Sequence, residues 1–289
     1  MSLALSAGQD SASEDSASQD SASQHSASWR GQRAWAETVH AEWTKLRTVA
    51  STGWLLAGIV AVTVLVSVAA VAAATVAPGV DQAKLSLTGV QAGQAVVAVL
   101  AVLVIGNEYS TGMIRVTLTA MPRRLSLLAA KSAIVGGLTL AAGIVAVLSS
   151  ALTGRLILPG RGFTAAHGYQ PLSLVNGPDL RAACGSVLYL ALIALLSLGI
   201  ATVIRDSAIA MGCVLALLYL FPIVTAVVSN QHWQRHLEQA GPMTAGLYIQ
   251  ATAGVRALPL TPWQGLGVLA LWAAGALLLA GLVLRLRDA

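Results

Sequence analysis

Few residues in this chain could do chemistry, and their spacing matches no catalytic arrangement. A phosphate-binding P-loop needs a Gly directly before its Lys, but the three lysines follow Thr44, Ala83 and Ala130. The sequence has no HExxH motif, and its long apolar runs hold no paired acid and no Ser–His arrangement. We therefore expect no catalytic residue, no cofactor and no enzyme activity on this chain itself.

The histidines and cysteines are the other candidates for chemistry. His232 and His236 stand four residues apart, and Glu238 is the carboxylate near them in sequence, so a metal ion would find few ligands. Exposed loop histidines are the simpler interpretation, and we predict no metal site. Cys184 and Cys213 have neither CxxC nor metal-ligand spacing. We expect both to be small side chains buried between helices.

Composition indicates a membrane protein. Hydrophobic residues make up 56% of the 289-residue chain and charged residues only 10%, against about 25% charged in soluble domains. Six apolar runs, each near the roughly 20 residues that cross a hydrocarbon core, are continuous rather than alternating, which excludes an outer-membrane barrel. The fold class is therefore an all-α polytopic membrane protein, embedded in the lipid bilayer. The net charge of +5 does not indicate nucleic acid, because the basic residues cluster at the ends of the apolar runs.

The sequence divides into three parts. Residues 1–32 form a Ser/Ala/Asp-rich tail with a five-residue repeat, which predicts disorder. Residues 33–50 predict an amphipathic helix at the membrane interface, which either only anchors the chain or also touches a cytoplasmic partner. Residues 51–289 predict a six-span domain in which residues 153–182 and 230–262 are long loops. The interface-helix residues are Trp35, Val39, Glu42, Trp43 and Leu46. The predicted spans are about 54–76, 86–106, 127–152, 183–204, 208–228 and 263–284.

Charge asymmetry predicts the orientation. With both termini in the cytoplasm, eleven Lys and Arg residues lie on the inner side and six on the outer side, as the positive-inside rule favours. We expect a multi-pass protein of the cell membrane with cytoplasmic N- and C-termini. Lys131 is the one basic residue that falls within a span, and we expect it to snorkel to the nearby interface.

Polar side chains inside the spans are scarce. No Asp or Glu lies within any of them, which argues against a proton-coupled carrier. Gln91 and Gln94 on the second span are three residues apart and share one helix face. They either line a translocation path or hydrogen-bond a neighbouring helix.

Residues 108–124, called the island below, interrupt the apolar sequence between the second and third spans. Residues 106–124 read GNEYSTGMIRVTLTAMPRR, which resembles the cytoplasmic loop of type-2 ABC exporter permeases, notably the actinobacterial ones. Three further stretches resemble the same family in the same order. They are residues 41–48 (AEWTKLRT), 242–246 (PMTAG) and 287–289 (RDA). The resemblance covers roughly residues 34–289.

The resemblance implies a function and a partner. Permeases of this family pair as homodimers or pseudo-dimers and bind two cytoplasmic ATPase subunits, whose ATP-driven closure reaches the membrane through short intracellular helices. The island would then be a short cytoplasmic coupling helix. The resemblance assigns ATPase coupling to Glu108, Tyr109, Gly112, Met113, Ile114, Arg115, Leu118, Pro122, Arg123 and Arg124.

Each island residue has an expected part in this coupling. Glu108 and Tyr109 would end the second span and touch the ATPase, and Gly112 would let the chain turn. Apolar contacts would come from Met113, Ile114 and Leu118. Pro122 would stop the helix, and Arg123 and Arg124 would meet lipid headgroups or partner carboxylates.

Two functions are compatible with these expectations. The first is the membrane subunit of an ATP-driven exporter, and its charge-free spans favour a hydrophobic or amphipathic substrate. The second is a non-transporting immunity, sensor or scaffold subunit that binds a partner through the same island. Whichever function holds, the alternative for Arg115, Arg123 and Arg124 is that they serve only as topology charges.

Overall fold

The protein is an all-α bundle in the part of the chain that the computed structural model describes. The described residues are 50–110, 124–173, 175 and 177–286, without the side chains of Ala50, Glu108, Ser110 and Arg124. The helices are α1 (Ala50–Ala72), α2 (Gln82–Ser86), α3 (Val90–Ser110), α4 (Arg124–Ile157), α5 (Gly177–Ile204), α6 (Ser207–Val227), α7 (Gln231–Ala240), α8 (Pro242–Gly246) and α9 (Pro262–Leu286). By length and composition, α1, α3, α4, α5, α6 and α9 can each cross a membrane, which confirms the predicted six-span fold.

Helix α5 is the centre of the bundle. In its most apolar stretch 67% of the residues are buried, against 22% for α1 and α6. It packs against α3, α4, α6 and α9, whereas α1 lies at one side against α3 and α4. A helix that is apolar all round is expected where other helices cover it on every side.

Several helix ends differ from the prediction. α1 ends at Ala72 rather than near residue 76, and just beyond this end the Ala74 N–H donates to the Val71 carbonyl at 3.3 Å. The carbonyl of Ala77 then accepts a hydrogen bond from the Tyr169 hydroxyl at 2.5 Å. α4 has 34 residues, about 51 Å at 1.5 Å per residue, and extends past the roughly 30 Å hydrocarbon core. It shortens the loop predicted at 153–182.

The prediction of a long loop at 230–262 was wrong. This segment contains α7, α8 and two 3-10 turns, at Leu247–Gln250 and Val255–Ala257. Most residues from 242 to 251 are buried, and they pack against α5, α6 and α9. We call residues 241–251 the inserted segment. It is too short to span a bilayer, and its buried residues are covered by the neighbouring helices.

Glycines on the neighbouring helices make room for the inserted segment. A Cβ atom at Gly265 of α9 would overlap the backbone carbonyl oxygen of Ala245, and one at Gly185 of α5 would overlap the Ile249 side chain. Within the segment, a Cβ at Gly246 would lie 2.7 Å from the Tyr189 ring. Such close approach, which small residues permit in membrane helices, fixes the depth of the segment.

One carboxylate joins two loops at the end of the bundle opposite the island, called the loop end below. Asp81 Oδ2 accepts hydrogen bonds from the backbone N–H groups of Thr252 (2.5 Å) and Ala253 (2.8 Å), and Oδ1 accepts one from the Thr252 hydroxyl (2.7 Å). Oδ1 also caps α2 through the Lys84 N–H at 3.1 Å. The chain after the inserted segment is thereby held to the loop between α1 and α3.

Gly265→Ala and Gly267→Ala form a matched pair that tests the inserted segment. Both glycines lie in α9, but a Cβ at Gly267 has no heavy atom within 4 Å. Ala favours a helix over Gly by about 1 kcal/mol, so G267A should raise the thermal unfolding midpoint slightly or leave it unchanged. G265A should lower that midpoint, because overpacking against backbone costs about 1–3 kcal/mol. Equal midpoints in detergent would contradict the described packing.

Candidate functional site

The island begins at a junction of three helices. Tyr109, one residue before the end of α3, is half-buried, and its hydroxyl points at the backbone carbonyl of Thr202 in α5 at 3.5 Å. The guanidinium carbon of Arg205 lies 5.8 Å from the centre of the Tyr109 ring, within the range of a cation–π contact. The end of α3 therefore rests on the turn between α5 and α6. We call this arrangement the junction.

The turn at the junction is tight and strained. Arg205 is the only described residue other than glycine with a positive φ, 63°, a conformation that costs an L-residue roughly 1–2 kcal/mol. Its N–H still donates to the Ala201 carbonyl at 3.0 Å. Asp206 then starts α6 by accepting the Ile209 N–H at 2.8 Å, a usual N-cap interaction. The two bonds fix α5 and α6 as one hairpin.

The same junction brings α3 close to α6. A Cβ atom at Gly106 would lie 2.7 Å from the Cβ of Ser207, so only glycine fits at this position without a shift of one helix. Arg205 Nε is buried and has no hydrogen-bond partner in the described part of the chain. The ring of Tyr109 supplies the electrostatic contact to this guanidinium. Movement at the end of α3 must therefore displace the α5–α6 hairpin or break these contacts.

Gln94 links three elements in the interior. Its side chain is fully buried, and its Oε1 accepts a short hydrogen bond from the Tyr189 hydroxyl of α5. Its Nε2 lies 3.1 Å from the sulfur of Met243 in the inserted segment. Gln91 is half-buried, and its backbone carbonyl accepts the Tyr219 hydroxyl of α6 at 2.7 Å. In this structure the Gln94 amide thus joins helices rather than facing an open path.

An apolar groove of about 710 Å³ runs along α5 between α6 and α9. At the loop end Ala240 of α7 borders it, and the Trp272 indole N–H donates to the Ala240 carbonyl at 2.9 Å. Gln239 contributes a polar side chain at the same end. The groove is lined by Leu196, Ile200, Val203, Ile204, Leu217, Gln239, Ala240, Val268, Leu271, Trp272, Gly275, Ala276 and Leu279. Its shape and chemistry suit an elongated apolar molecule.

Only part of the predicted site lies within the described residues. Tyr109 is described fully, and the backbones of Glu108 and Arg124 belong to α3 and α4. The residues outside the described part are Gly112, Met113, Ile114, Arg115, Leu118, Pro122 and Arg123 in the island, and Trp35, Val39, Glu42, Trp43 and Leu46 in the interface helix.

Two expectations about single side chains were wrong. Cys184 and Cys213 are both exposed on the outside of the bundle, because each faces away from the helices that cover its own helix. Lys131 does not snorkel: it is only 2% exposed, because its α4 face, shared with Leu127 and Val135, turns inward. In a helix that is apolar on all sides, hydropathy does not reveal which face is buried.

Sequence reasoning also missed the partners of Tyr109. The sequence predicts a very tight turn at Arg205 and Asp206 between the fourth and fifth spans, and the structure has that turn. It does not indicate that Tyr109 packs on this turn. The positive φ at Arg205 has a sequence signal in the very short polar turn between two apolar runs. The contact between Tyr109 of α3 and that turn has no sequence signal, because nearly a hundred residues separate Tyr109 from Arg205.

The sequence was compared with known proteins. No protein-family model matches it, and no curated protein matches it either. The resemblance to type-2 ABC exporter permeases therefore rests on the four sequence stretches given above.

Substitutions at Arg205 test the junction. Arg205→Gln keeps the left-handed strain and removes the cation, so it should lower stability by about 0.5–1 kcal/mol, the size of an exposed cation–π contact. Arg205→Gly also removes the cation but relieves the strain, so its unfolding midpoint should exceed that of R205Q. In a Tyr109→Leu background the cost of R205Q should largely disappear. An unchanged cost in that background would show that the ring and the guanidinium do not interact.

Proposed function

We propose that this chain is the membrane-spanning subunit of an ATP-driven exporter of the type-2 ABC class. A separate ATPase subunit would hydrolyse ATP in the cytoplasm, and this chain would use the resulting movement to carry a hydrophobic or amphipathic substrate across the cell membrane. The observation that carries the proposal is the packing of Tyr109, the first fully described island residue, on the α5–α6 turn. The island is thus connected to the central helix of the bundle.

The contacts around α5 support a mechanical role for the island. A force on the end of α3 reaches α5 through Tyr109 and Thr202, and reaches α6 through Gly106 and Ser207. α5 contacts four of the five other spans and the inserted segment. A change of its position alters the groove, whose floor it forms. Energetic coupling between distant sites is carried by such contiguous sets of packed elements.

The groove supports the proposed class of substrate. Its apolar walls favour aliphatic or aromatic surface, and its polar groups, Gln239 and the backbone near Ala240, cluster at the loop end. An amphipathic molecule would place its polar part there and its apolar part along α5. The sequence resemblance adds the expected assembly, a homodimer or pseudo-dimer of permeases with two ATPase subunits. The asymmetry of Lys and Arg adds the orientation with cytoplasmic termini.

The island substitutions Glu108→Ala and Gly112→Val test the proposal. The neighbouring reading frames are first searched for a P-loop ATPase. The chain is reconstituted in liposomes with the ATPase so identified, and ATP hydrolysis is measured with and without the chain. We expect the chain to stimulate hydrolysis several-fold and each variant to abolish that stimulation. Both variants should still insert into the membrane, because neither residue lies in the apolar core of a span.

A matched control and two outcomes make the test decisive. Gly160→Val repeats the substitution at the loop end, where a Cβ meets no heavy atom within 4 Å, and should leave the stimulation intact. Full stimulation in both island variants would overturn the proposal. If the wild-type chain binds the ATPase without changing hydrolysis, the non-transporting immunity, sensor or scaffold function replaces it.

A further inference from the structure

Helix α7 places two imidazole groups side by side at the loop end. His232 and His236 are one helical turn apart and both exposed. Their Nε2 atoms are 3.1 Å apart, and their ring centres are 4.5 Å apart with an interplanar angle of 88°. Two neutral imidazoles at this distance share one N–H···N hydrogen bond, so one ring donates from Nε2 and the other accepts.

The same separation suits chelation of a metal ion. With metal–nitrogen bonds of about 2.05 Å, an Nε2–Nε2 distance of 3.1 Å corresponds to an N–metal–N angle of about 98°. That angle lies between the 90° of square-planar or octahedral sites and the roughly 109° of tetrahedral ones. Before a metal ion can bind, the shared proton must move from Nε2 to Nδ1 of the same ring. Both Nε2 lone pairs are then free to bind the ion.

The helix that carries the pair is fixed at both ends. The Asn230 side-chain oxygen accepts the N–H groups of His232 (2.9 Å) and Trp233 (3.4 Å), and Gln239 donates to the Pro259 carbonyl at 3.3 Å. Such capping holds the first turn in place. The two rings therefore project from a helix whose ends are held, and in this structure their Nε2 atoms lie at a separation that suits a metal ion.

The nearest carboxylate is already engaged. Glu238 Oε2 accepts a hydrogen bond from the Tyr248 hydroxyl at 3.2 Å. Burial and the neighbouring Glu238 carboxylate raise the pKa of Tyr248 well above its ordinary value, so this hydroxyl stays a donor. No group of three or more His, Cys, Asp or Glu side chains that could hold a metal occurs in the described part of the chain. Further ligands would have to come from water or from another molecule.

We propose that His232 and His236 form a bidentate surface site for a late first-row divalent cation, with Cu²⁺ bound more tightly than Ni²⁺ or Zn²⁺. This proposal replaces the sequence-based prediction of no metal site, because the spacing alone did not show that the two Nε2 atoms lie 3.1 Å apart. Imidazole nitrogen suits these ions, and the order follows their general affinity for nitrogen ligands. Mg²⁺ and Ca²⁺ prefer oxygen and are not bound. Because the pair supplies only two ligands, the remaining coordination positions are left for water or for a ligand from a second molecule. This site is independent of the proposed exporter function.

The test is a titration of the full chain in detergent micelles with CuCl₂, and separately with ZnCl₂ and MgCl₂. The chain carries no polyhistidine tag. We expect His232→Ala and His236→Ala each to weaken the affinity of the strongest Cu²⁺ site at least tenfold. Each variant leaves one histidine ligand, so the ion no longer gains from a second ligand held close by at a high effective concentration. His167→Ala, which removes another exposed histidine, should leave that site unchanged.

Electron paramagnetic resonance of the Cu²⁺-loaded chain gives a second measurement. The spectrum of the wild type should show two imidazole nitrogens bound to the ion, and the spectrum of either alanine variant should show one. Isotherms of both variants within about twofold of the wild type, or a wild-type spectrum with a single nitrogen, would overturn the proposal. Tight binding of Mg²⁺ at the same site would overturn it as well.

Discussion

Close packing around α5 is the contact on which the rest of the structure depends. Four spans cover this helix, and the inserted segment lies against it where α6 and α9 leave room. A segment too short to span a bilayer needs such cover from protein, because its end groups find no hydrogen-bond partners in lipid. Gly185 and Gly265 allow the segment to approach, and the Gln94 amide, bonded to Tyr189 and near Met243, gives the interior a polar anchor.

The same helix connects the two ends of the molecule. At one end the turn that follows α5 receives Tyr109, and at the other Asp81 holds the chain that follows the inserted segment. Between these ends α5 forms the floor of the apolar groove. In the proposed exporter, this chain of contacts would carry events at a cytoplasmic partner to the groove.

The sequence predicted the six spans because apolar runs of membrane length are unmistakable. It did not predict α7 or the inserted segment: the first is polar, and the second is too short to read as a span. The sequence also did not indicate which side of each helix faces the interior of the bundle. Cys184 and Cys213 are exposed and Lys131 is buried, the opposite of what we expected. The Tyr109–Arg205 contact depends on which helix ends are neighbours, which periodicity does not encode. Most island residues lie outside the described part, so their roles stay predictions.

The central claim, that the island binds an ATPase, is tested most directly by site-specific photo-cross-linking in intact membranes. A photoreactive residue replaces Met113 in the island, and a matched one replaces Gly267, an exposed position in α9. The account predicts that position 113 captures a P-loop ATPase, that added nucleotide changes the yield, and that position 267 captures none. Absence of any nucleotide-binding protein at position 113, with the chain correctly inserted, would contradict it.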